Sequence, residues 1–209
     1  MGSKKRATKK KIKRTSKIKG MKRCPDCKVK GVCKTCDGHG ETRIVSGRNK
    51  GSKFERDVAK DVSDWTGVYF TRVPMSGGWN KTGDITPKDP KEMVHFQFNI
   101  ECKNQKVFST SSLMDCAGKG MNQAIKGWWK QCTDDAIKSK KIPLLVMTTI
   151  REPVFVMMHK KLFMEKAVKK KASLYLKIKP KKGGHLRVML WKDFLKVPYE
   201  DVSGLLKNG

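Results

Sequence analysis

The segment MVHFQFNIECK, residues 93–103, constrains the fold of this chain more than any other. Its β-branched and aromatic residues predict a buried strand, which needs strand neighbours and helices to cover it. Side chains two residues apart on a strand share a face, so Glu101 and Lys103 point the same way and Cys102 points to the other face. An apolar strand that ends in an acid and a base indicates either an ion pair at a strand end or a polar site.

Helix and strand patterns alternate along the rest of this region. SKFERDVAKDVSDWTG predicts a helix with Ser52 as N-cap and Glu55 at the capping-box spacing. VYFTRVP and DIT predict two strands before the segment described above, and a polar loop after it leads to a helix over residues 122–141. Of the adjacent Trp128 and Trp129, one is expected in the core. The remaining segments predict the strands IPLLVMTTI and PVFVMMH, a helix over residues 160–172 and a final hairpin. This order predicts an α/β domain with a mixed sheet and helices on its faces.

The charge of the chain indicates its class of partner. The 209 residues include 48 Lys and Arg against 19 Asp and Glu, a formal net charge of +29. Such a surface favours a polyanion, with nucleic acid as the first choice and an anionic membrane surface as the second. The sequence has no apolar run that could span a bilayer and no signal-peptide core, so we expect a cytoplasmic protein, or a nuclear one in a eukaryote.

Composition also predicts the domain boundaries. Residues 1–23 form a basic, low-complexity arm that we expect to be disordered when free and to neutralise nucleic-acid phosphates. A cysteine-rich module follows over residues 24–40, a polar linker over 41–50, and the folded domain over 51–209.

The module contains two C-x-x-C pairs, Cys24 with Cys27 and Cys33 with Cys36. Four thiolates at this spacing predict one structural, tetrahedral Zn²⁺, which would supply much of the folding free energy of so small a module. A redox pair is the alternative, but the βαβ context of redox C-x-x-C motifs is missing. Basic residues around the cysteines are expected to bind nucleic acid: Lys22, Arg23, Lys28, Lys30 and Lys34.

Three carboxylates and a lysine form a second candidate site. Asp84 opens a strand just after a glycine-rich loop, Glu101 lies near the end of the next strand, and Glu55 lies in the first helix. Carboxylates that converge repel one another, and Mg²⁺ or Mn²⁺ removes that penalty through oxygen ligands. With Lys103 beside them, the set suggests metal-dependent hydrolysis of a phosphodiester. Any one of these residues alone is more typical of a solvated surface carboxylate or a structural ion pair.

FERDVAKDVSDWTG, YFTRVPMSGGWNKTGD and FNIECKNQ together resemble the PD-(D/E)xK nuclease superfamily, in the variant of the archaeal-type Holliday junction resolvases. The resemblance covers roughly residues 51 to 150 and implies a restriction-endonuclease-like sheet. It implies that Asp84 and Glu101 bind the metal and that Glu55 assists directly or through water. Lys103 would orient or activate the attacking water, and the main-chain carbonyl of Cys102 would complete the metal shell.

Further roles follow from the same resemblance. Ser76, in RVPMSGG, would lie near the scissile phosphate, and Arg72 would contact the DNA backbone. Nucleases of this fold often have a Gln or Lys near the active site on the helix after the loop, and Gln123 and Gln131 qualify by position as nucleic-acid-binding residues there. Gly83 replaces the proline of the family's "PD", and the Cys102 side chain is expected to pack in the core.

The resulting hypothesis is a Mg²⁺-dependent endonuclease that acts on branched DNA in recombination, repair or phage DNA processing. Because a resolvase makes two cuts, a two-fold homodimer is expected. Another nuclease of the superfamily (restriction, homing or phage DNA-degrading) is an alternative. A non-enzymatic zinc-finger nucleic-acid-binding protein is another, although the intact set of acids and Lys103 argues against it.

Overall fold

A computed structural model describes residues 21–23, 41–43, 47–73, 83–164, 166–180 and 184–204. The chain divides into two compact units, Met1–Ser46 and Gly47–Gly209. In the first unit, β1 (Met21–Arg23) pairs antiparallel with β2 (Glu41–Arg43). The predicted cysteine module and the first 20 residues of the arm lie outside the described residues. The segment 41–50, expected as a linker, contains β2 and the first residues of a helix.

That helix, α1 (Gly47–Thr66), begins earlier than the sequence predicts. Ser52 and Glu55 therefore lie within it, Glu55 in the third turn, and the predicted capping box is wrong. Phe54, Val58 and Val62 are buried at the expected helical spacing. The helix ends at Gly67, which has a φ of 72° and donates its N–H to the carbonyl of Ser63.

Two short strands precede the main sheet. β3 (Phe70–Arg72) pairs antiparallel with β4 (Ile85–Pro87), and residues 74–82 between them lie outside the described residues. Asp84 lies just before β4, and its N–H donates to the carbonyl of Ile100 at 2.9 Å. This bond places the β3–β4 pair beside the edge strand of the main sheet.

The main sheet has five strands, in the order β5-β6-β7-β9-β8. They are β5 (Phe98–Asn104), β6 (Ile142–Thr148), β7 (Phe155–His159), β8 (Tyr175–Ile178) and β9 (Leu186–Leu190). β5 and β6 are parallel and the other neighbours antiparallel, which confirms the predicted mixed sheet and final hairpin. β5 begins at Phe98, later than predicted, because residues 90–95 form turns in which Val94 is 82% exposed.

The parallel strands β5 and β6 are joined by two helices, as a parallel pair requires a crossover connection. α3 (Gln123–Ser139) was expected, and the side chain of Asn122 caps its N-terminus. α2 (Thr110–Lys119) lies in the segment predicted to be a loop. Ser109 and Ser112 form a capping box there, and Leu113 and Cys116 are buried.

Each face of the sheet is covered by helices. Phe98, Ile100 and Cys102 of β5 contribute to the core that includes α1 residues, whereas α3 residues belong to the core on the opposite face. Trp128 and Trp129 are both buried in that second core, whereas only one of them was expected there. Adjacent residues are about 100° apart on a helix, and a wide packed face can bury both.

The C-terminal elements complete the second unit. α4 (Lys160–Met164) and α5 (Lys166–Lys171) are helical on either side of residue 165, and α6 (Trp191–Phe194) and α7 (Tyr199–Gly204) were not predicted. Trp191 Nε1 donates to Asp61 Oδ2 at 2.9 Å, and Trp65 Nε1 donates to the carbonyl of Val197 at 2.6 Å. The C-terminal segment is therefore fixed to α1. None of the helices in the described ranges combines the length and apolar character that a membrane span requires.

Candidate active site

Asp84 is fixed at the outer edge of β5 by three hydrogen bonds. Its N–H donates to the carbonyl of Ile100 at 2.9 Å, and its carbonyl accepts from the N–H of Val73 at 2.8 Å. Its Oδ2 accepts from the main-chain N–H of Cys102 at 2.7 Å. The side chain is 7% exposed. The predicted convergence of Asp84 with the end of β5 therefore occurs through these bonds rather than through a continuous β4–β5 ladder.

Gly83 allows the backbone before Asp84 to lie close to β5. It has a φ of 79°, a conformation that proline cannot adopt because its ring fixes φ near −65°. A Cβ at position 83 would lie 2.8 Å from Asn99 Oδ1 and 3.2 Å from the carbonyl oxygen of Ile100. The glycine in place of the proline of the "PD" pattern is thus required by the local backbone and by the neighbouring strand.

Glu101 and Lys103 lie on the α3 face of β5 and form an ion pair. Glu101 is only 2% exposed, and burial together with the nearby Asp84 carboxylate raises its pKa to about 7, against the opposing effect of Lys103. Lys103 Nζ also donates to Gln131 Oε1 of α3 at 3.1 Å. The acid and base at the end of β5 are therefore one part of a larger polar cluster.

The main chain of Cys102 faces this cluster. The N–H and carbonyl of one strand residue point to the same strand edge, and the N–H of Cys102 points to Asp84. Its carbonyl oxygen is therefore directed to the Asp84 edge of β5. The thiol points into the first core, and burial, followed by the Asp84, Glu101 and Glu55 carboxylates, raises its pKa. A thiol that is buried and protonated is a packing group.

Glu55 reaches the vicinity of this edge from α1, where it forms an ion pair with Arg72 of β3. Its carboxylate acts electrostatically on Cys102 together with those of Asp84 and Glu101, so all three acids lie around the same strand residue. Within the described ranges, however, no three Asp, Glu, His or Cys side chains are arranged as ready metal ligands. A hard divalent cation prefers oxygen ligands, and Asp84, Glu101 and the Cys102 carbonyl are the groups here that could supply them.

The other candidate residues separate into two groups. Gln131 contacts Lys103, whereas Gln123 is exposed at the start of α3, about 12 Å away along the helix axis at ~1.5 Å per residue. Lys22 and Arg23 lie in β1. Ser76, Lys28, Lys30, Lys34 and the four predicted zinc ligands lie outside the described residues.

Asn99 helps to hold the candidate site together, a role that the sequence did not reveal. It is 2% exposed, its Nδ2 donates to the carbonyl of Cys132 at 3.5 Å, and its Oδ1 faces Gly83. It thus connects α3, β5 and the turn that presents Asp84. The available signal was a polar residue on the same strand face as Glu101 and Lys103.

Comparison with known proteins assigns this chain to a family. A family model described as "Phage putative PDDEXK endonuclease" matches residues 46–203. No curated protein sequence matches the chain. One matching solved structure is Hjc of Archaeoglobus fulgidus, a Holliday junction resolvase from an archaeal hyperthermophile, with 13% sequence identity. That match covers 74% of this chain and 96% of the other with a TM-score of 0.33, too low to carry an argument. The family model spans most of the chain and all of the cluster around Asp84 and Glu101, and the chain therefore belongs to the phage PD-(D/E)xK endonuclease family.

Proposed function

We propose that this protein is a divalent-metal-dependent endodeoxyribonuclease that hydrolyses phosphodiester bonds in branched DNA. The observation that carries the proposal is the hydrogen bond from the Cys102 N–H to Asp84 Oδ2, at 2.7 Å, beside the Glu101–Lys103 pair. This bond fixes Asp84 beside β5, the strand that carries Glu101 and Lys103, in a strongly basic protein.

Asp84, Glu101 and the Cys102 carbonyl would hold Mg²⁺ or Mn²⁺, with Glu55 contributing through water. Such an ion supplies Lewis acidity toward water and toward the phosphate oxygens. The raised pKa of Glu101 supports this assignment, since it reflects the cost of two adjacent buried carboxylates that a cation would relieve.

Lys103 would orient the attacking water and donate a hydrogen bond to it or to a phosphate oxygen. Gln131 restricts the position of Lys103 Nζ through its Oε1. Arg72 pairs with Glu55 and would exchange part of that contact for a backbone phosphate. Ser76 would lie near the scissile phosphate. Each of these groups acts by positioning or by charge, which is the main contribution a protein makes to this reaction.

The preference for branched DNA rests on charge. A net charge of +29 favours contacts to phosphates, and phosphate contacts position a protein without reading sequence. Shape is then the available basis for selection. Two cuts at a junction require two active sites, so the proposal includes a homodimer. We further propose action in the cytoplasm of a bacterium or a phage-infected cell.

The cysteine module forms a separate part of the proposal. Cys24, Cys27, Cys33 and Cys36 would bind one structural Zn²⁺, and their basic neighbours would contact DNA. The pairing of β1 with β2 supports this, because it brings the two ends of the cysteine-rich segment together. An antiparallel closure of this kind suits a small metal-bound loop.

A cleavage panel tests the function. Four-way, flap, forked and linear DNA are incubated with wild type or Glu101→Gln in Mg²⁺, Mn²⁺ or EDTA. We expect wild type to cut four-way DNA fastest, in Mg²⁺ or Mn²⁺ only, and the variant to be inactive. Equal cleavage of linear DNA would indicate another kind of nuclease, and an active Glu101→Gln protein would refute the site.

A further inference from the structure

Two cavities of the second unit lie side by side and share part of their lining. The larger, of about 970 Å³, lies between the end of α3, residues 93–97 and the start of α4. The smaller, of about 740 Å³, lies between the β3–β4 pair and the start of β5. Met93, Val94, Ser139 and Lys141 line both cavities. We call these two adjoining cavities together the lysine groove.

The charged side chains that line the groove are basic. Its larger half is lined by Lys140, Lys141, Lys160 and Lys161, and the described residues that line either half include no Asp or Glu. Within the described ranges, none of these four lysines forms an ion pair with a carboxylate, unlike Lys138, which pairs with Asp135. The groove therefore favours an extended anion.

Lys141 marks the junction of the two halves. Its Nζ donates to the carbonyl of Met93 at 3.1 Å and lies 5.6 Å from the centre of the Phe96 ring. Burial lowers the pKa of Lys141, so its charged form would gain from a bound anion.

The smaller half of the groove reaches residues that adjoin the candidate active site. This half is lined by Arg72, the partner of Glu55, and by Asn99, two residues before Glu101 on the same strand face. The larger half reaches Gln97, six residues from Lys103 along the chain. At ~3.3 Å per strand residue this is about 20 Å, a length that corresponds to about six nucleotides of DNA.

We propose that the lysine groove binds the phosphate backbone of the substrate DNA that flanks the cut, on one side and out to about six nucleotides. This inference rests on the proposed nuclease function and extends it to the path of one DNA arm. The exposed Met93 and Val94 supply an apolar wall against the sugar edges of that strand.

Binding to junctions of different arm length tests the groove directly. Four-way junctions with hairpin-closed arms of about four or about fourteen base pairs are titrated with the full chain in EDTA, by fluorescence anisotropy at several salt concentrations. The groove variant is Lys160→Gln/Lys161→Gln. The matched control is Lys169→Gln/Lys170→Gln, which removes equal charge from exposed residues of α5 that line neither cavity.

We expect the groove variant to bind the long-armed junction about 3- to 10-fold more weakly than wild type does. The slope of log affinity against log salt concentration should become shallower by about one to two. The variant should bind the short-armed junction with the same affinity as wild type. The control should lose less and show no dependence on arm length. Equal losses for both arm lengths, or for both variants, would overturn the proposal. The proposal would also be overturned if the groove variant sedimented as a different oligomer while its affinity depended on arm length as that of wild type does. That result would mean that the groove binds a second copy of the chain.

The assay is independent of cleavage because it contains no divalent metal. If wild type does not cleave DNA but the groove variant still loses affinity only for long-armed junctions, the nuclease function is refuted and the groove remains a DNA-binding surface. Active protein without an arm-length effect would refute the groove alone.

Discussion

The main-chain N–H of Cys102 donates to Asp84 Oδ2 at 2.7 Å, so one strand residue fixes the carboxylate of another segment beside Glu101. Folding brings two acids together and leaves the pKa of Glu101 raised to about 7, chiefly through burial and then through Asp84. The two acids therefore repel each other in a buried position. This cost is one that a bound cation would relieve, which is the reason for proposing a cation site here.

Asp84→Asn should separate catalysis from stability. The amide oxygen can still accept from the Cys102 N–H, while the negative charge beside Glu101 is removed. We expect cleavage to fall by at least about 100-fold and the melting temperature to stay the same or rise, since the repulsion is gone. Single-turnover cleavage and thermal unfolding measure the two effects. A variant that loses activity only through a lower melting temperature would contradict this.

Gly83→Ala should destabilise the second unit by about 1–3 kcal/mol, because it combines a positive φ with a clash against Asn99 Oδ1. Gly67→Ala is the matched control, with a φ of 72° and no atom within 4 Å of the added Cβ. Denaturant unfolding should show the smaller loss in the control. Adding Asn99→Ala should recover part of the loss at position 83, and strict additivity would disprove the clash.

Gln131→Ala should slow cleavage by removing the hydrogen bond that positions Lys103. We expect a loss of about 3- to 10-fold in the single-turnover rate with unchanged DNA affinity, against about 100-fold or more for Lys103→Met. Gln123→Ala, on the same helix but exposed at its start, should behave as wild type. Equal effects at the two glutamines would show that Gln131 has no special role.

Periodicity predicted the elements whose signal is local. The buried spacing of Phe54, Val58 and Val62, the mixed sheet and the final hairpin all follow from patterns within a few residues. Element ends were less predictable. Ser52 offers a capping box in the sequence, yet α1 extends back to Gly47, because a cap motif does not prevent a helix from beginning earlier.

The site was predictable in its residue types but not in its contacts. Asp84, Glu101 and Lys103 were proposed as a set from their places on the predicted strands and from the family resemblance, and the structure brings Asp84 beside the end of β5, where Glu101 and Lys103 form an ion pair. The contact of Gln131 with Lys103, and that of Asn99 with the Gly83 turn, join residues distant in sequence. Pairings of this kind depend on how helices and strands pack, which local pattern does not specify.

The cysteine module should contain about one zinc per chain. Four cysteines in two C-x-x-C pairs are its expected ligands, so Cys24→Ser/Cys27→Ser should abolish zinc binding while the nuclease unit stays folded. Elemental analysis of the purified protein measures the metal content. Cys116→Ser, which alters a buried cysteine of α2, should leave the zinc content unchanged. A folded, zinc-free wild-type protein would refute the four-cysteine site.

Asp193 should make the second unit sensitive to acid. Its buried carboxylate accepts from Lys196 Nζ at 2.7 Å, from the Ser173 hydroxyl, and from the Ser173 N–H at 3.1 Å. The hydrogen bonds from Lys196 and Ser173 lower the pKa of Asp193 from 3.8 to about 2. A lowered folded-state pKa means that the stabilisation is complete above the unfolded value and is lost as the pH falls toward the folded value.

Asp193→Asn should therefore reduce the free energy of unfolding by about 1–3 kcal/mol at neutral pH. The difference between variant and wild type should shrink as the pH falls from about 4 to about 2, where the wild-type carboxylate becomes protonated. Denaturant unfolding at a series of pH values measures it. Asp115→Asn, which removes an exposed carboxylate paired with Lys119 on α2, is the control and should change little. A difference that stays constant across this range would show that the charge of Asp193 does not stabilise the fold.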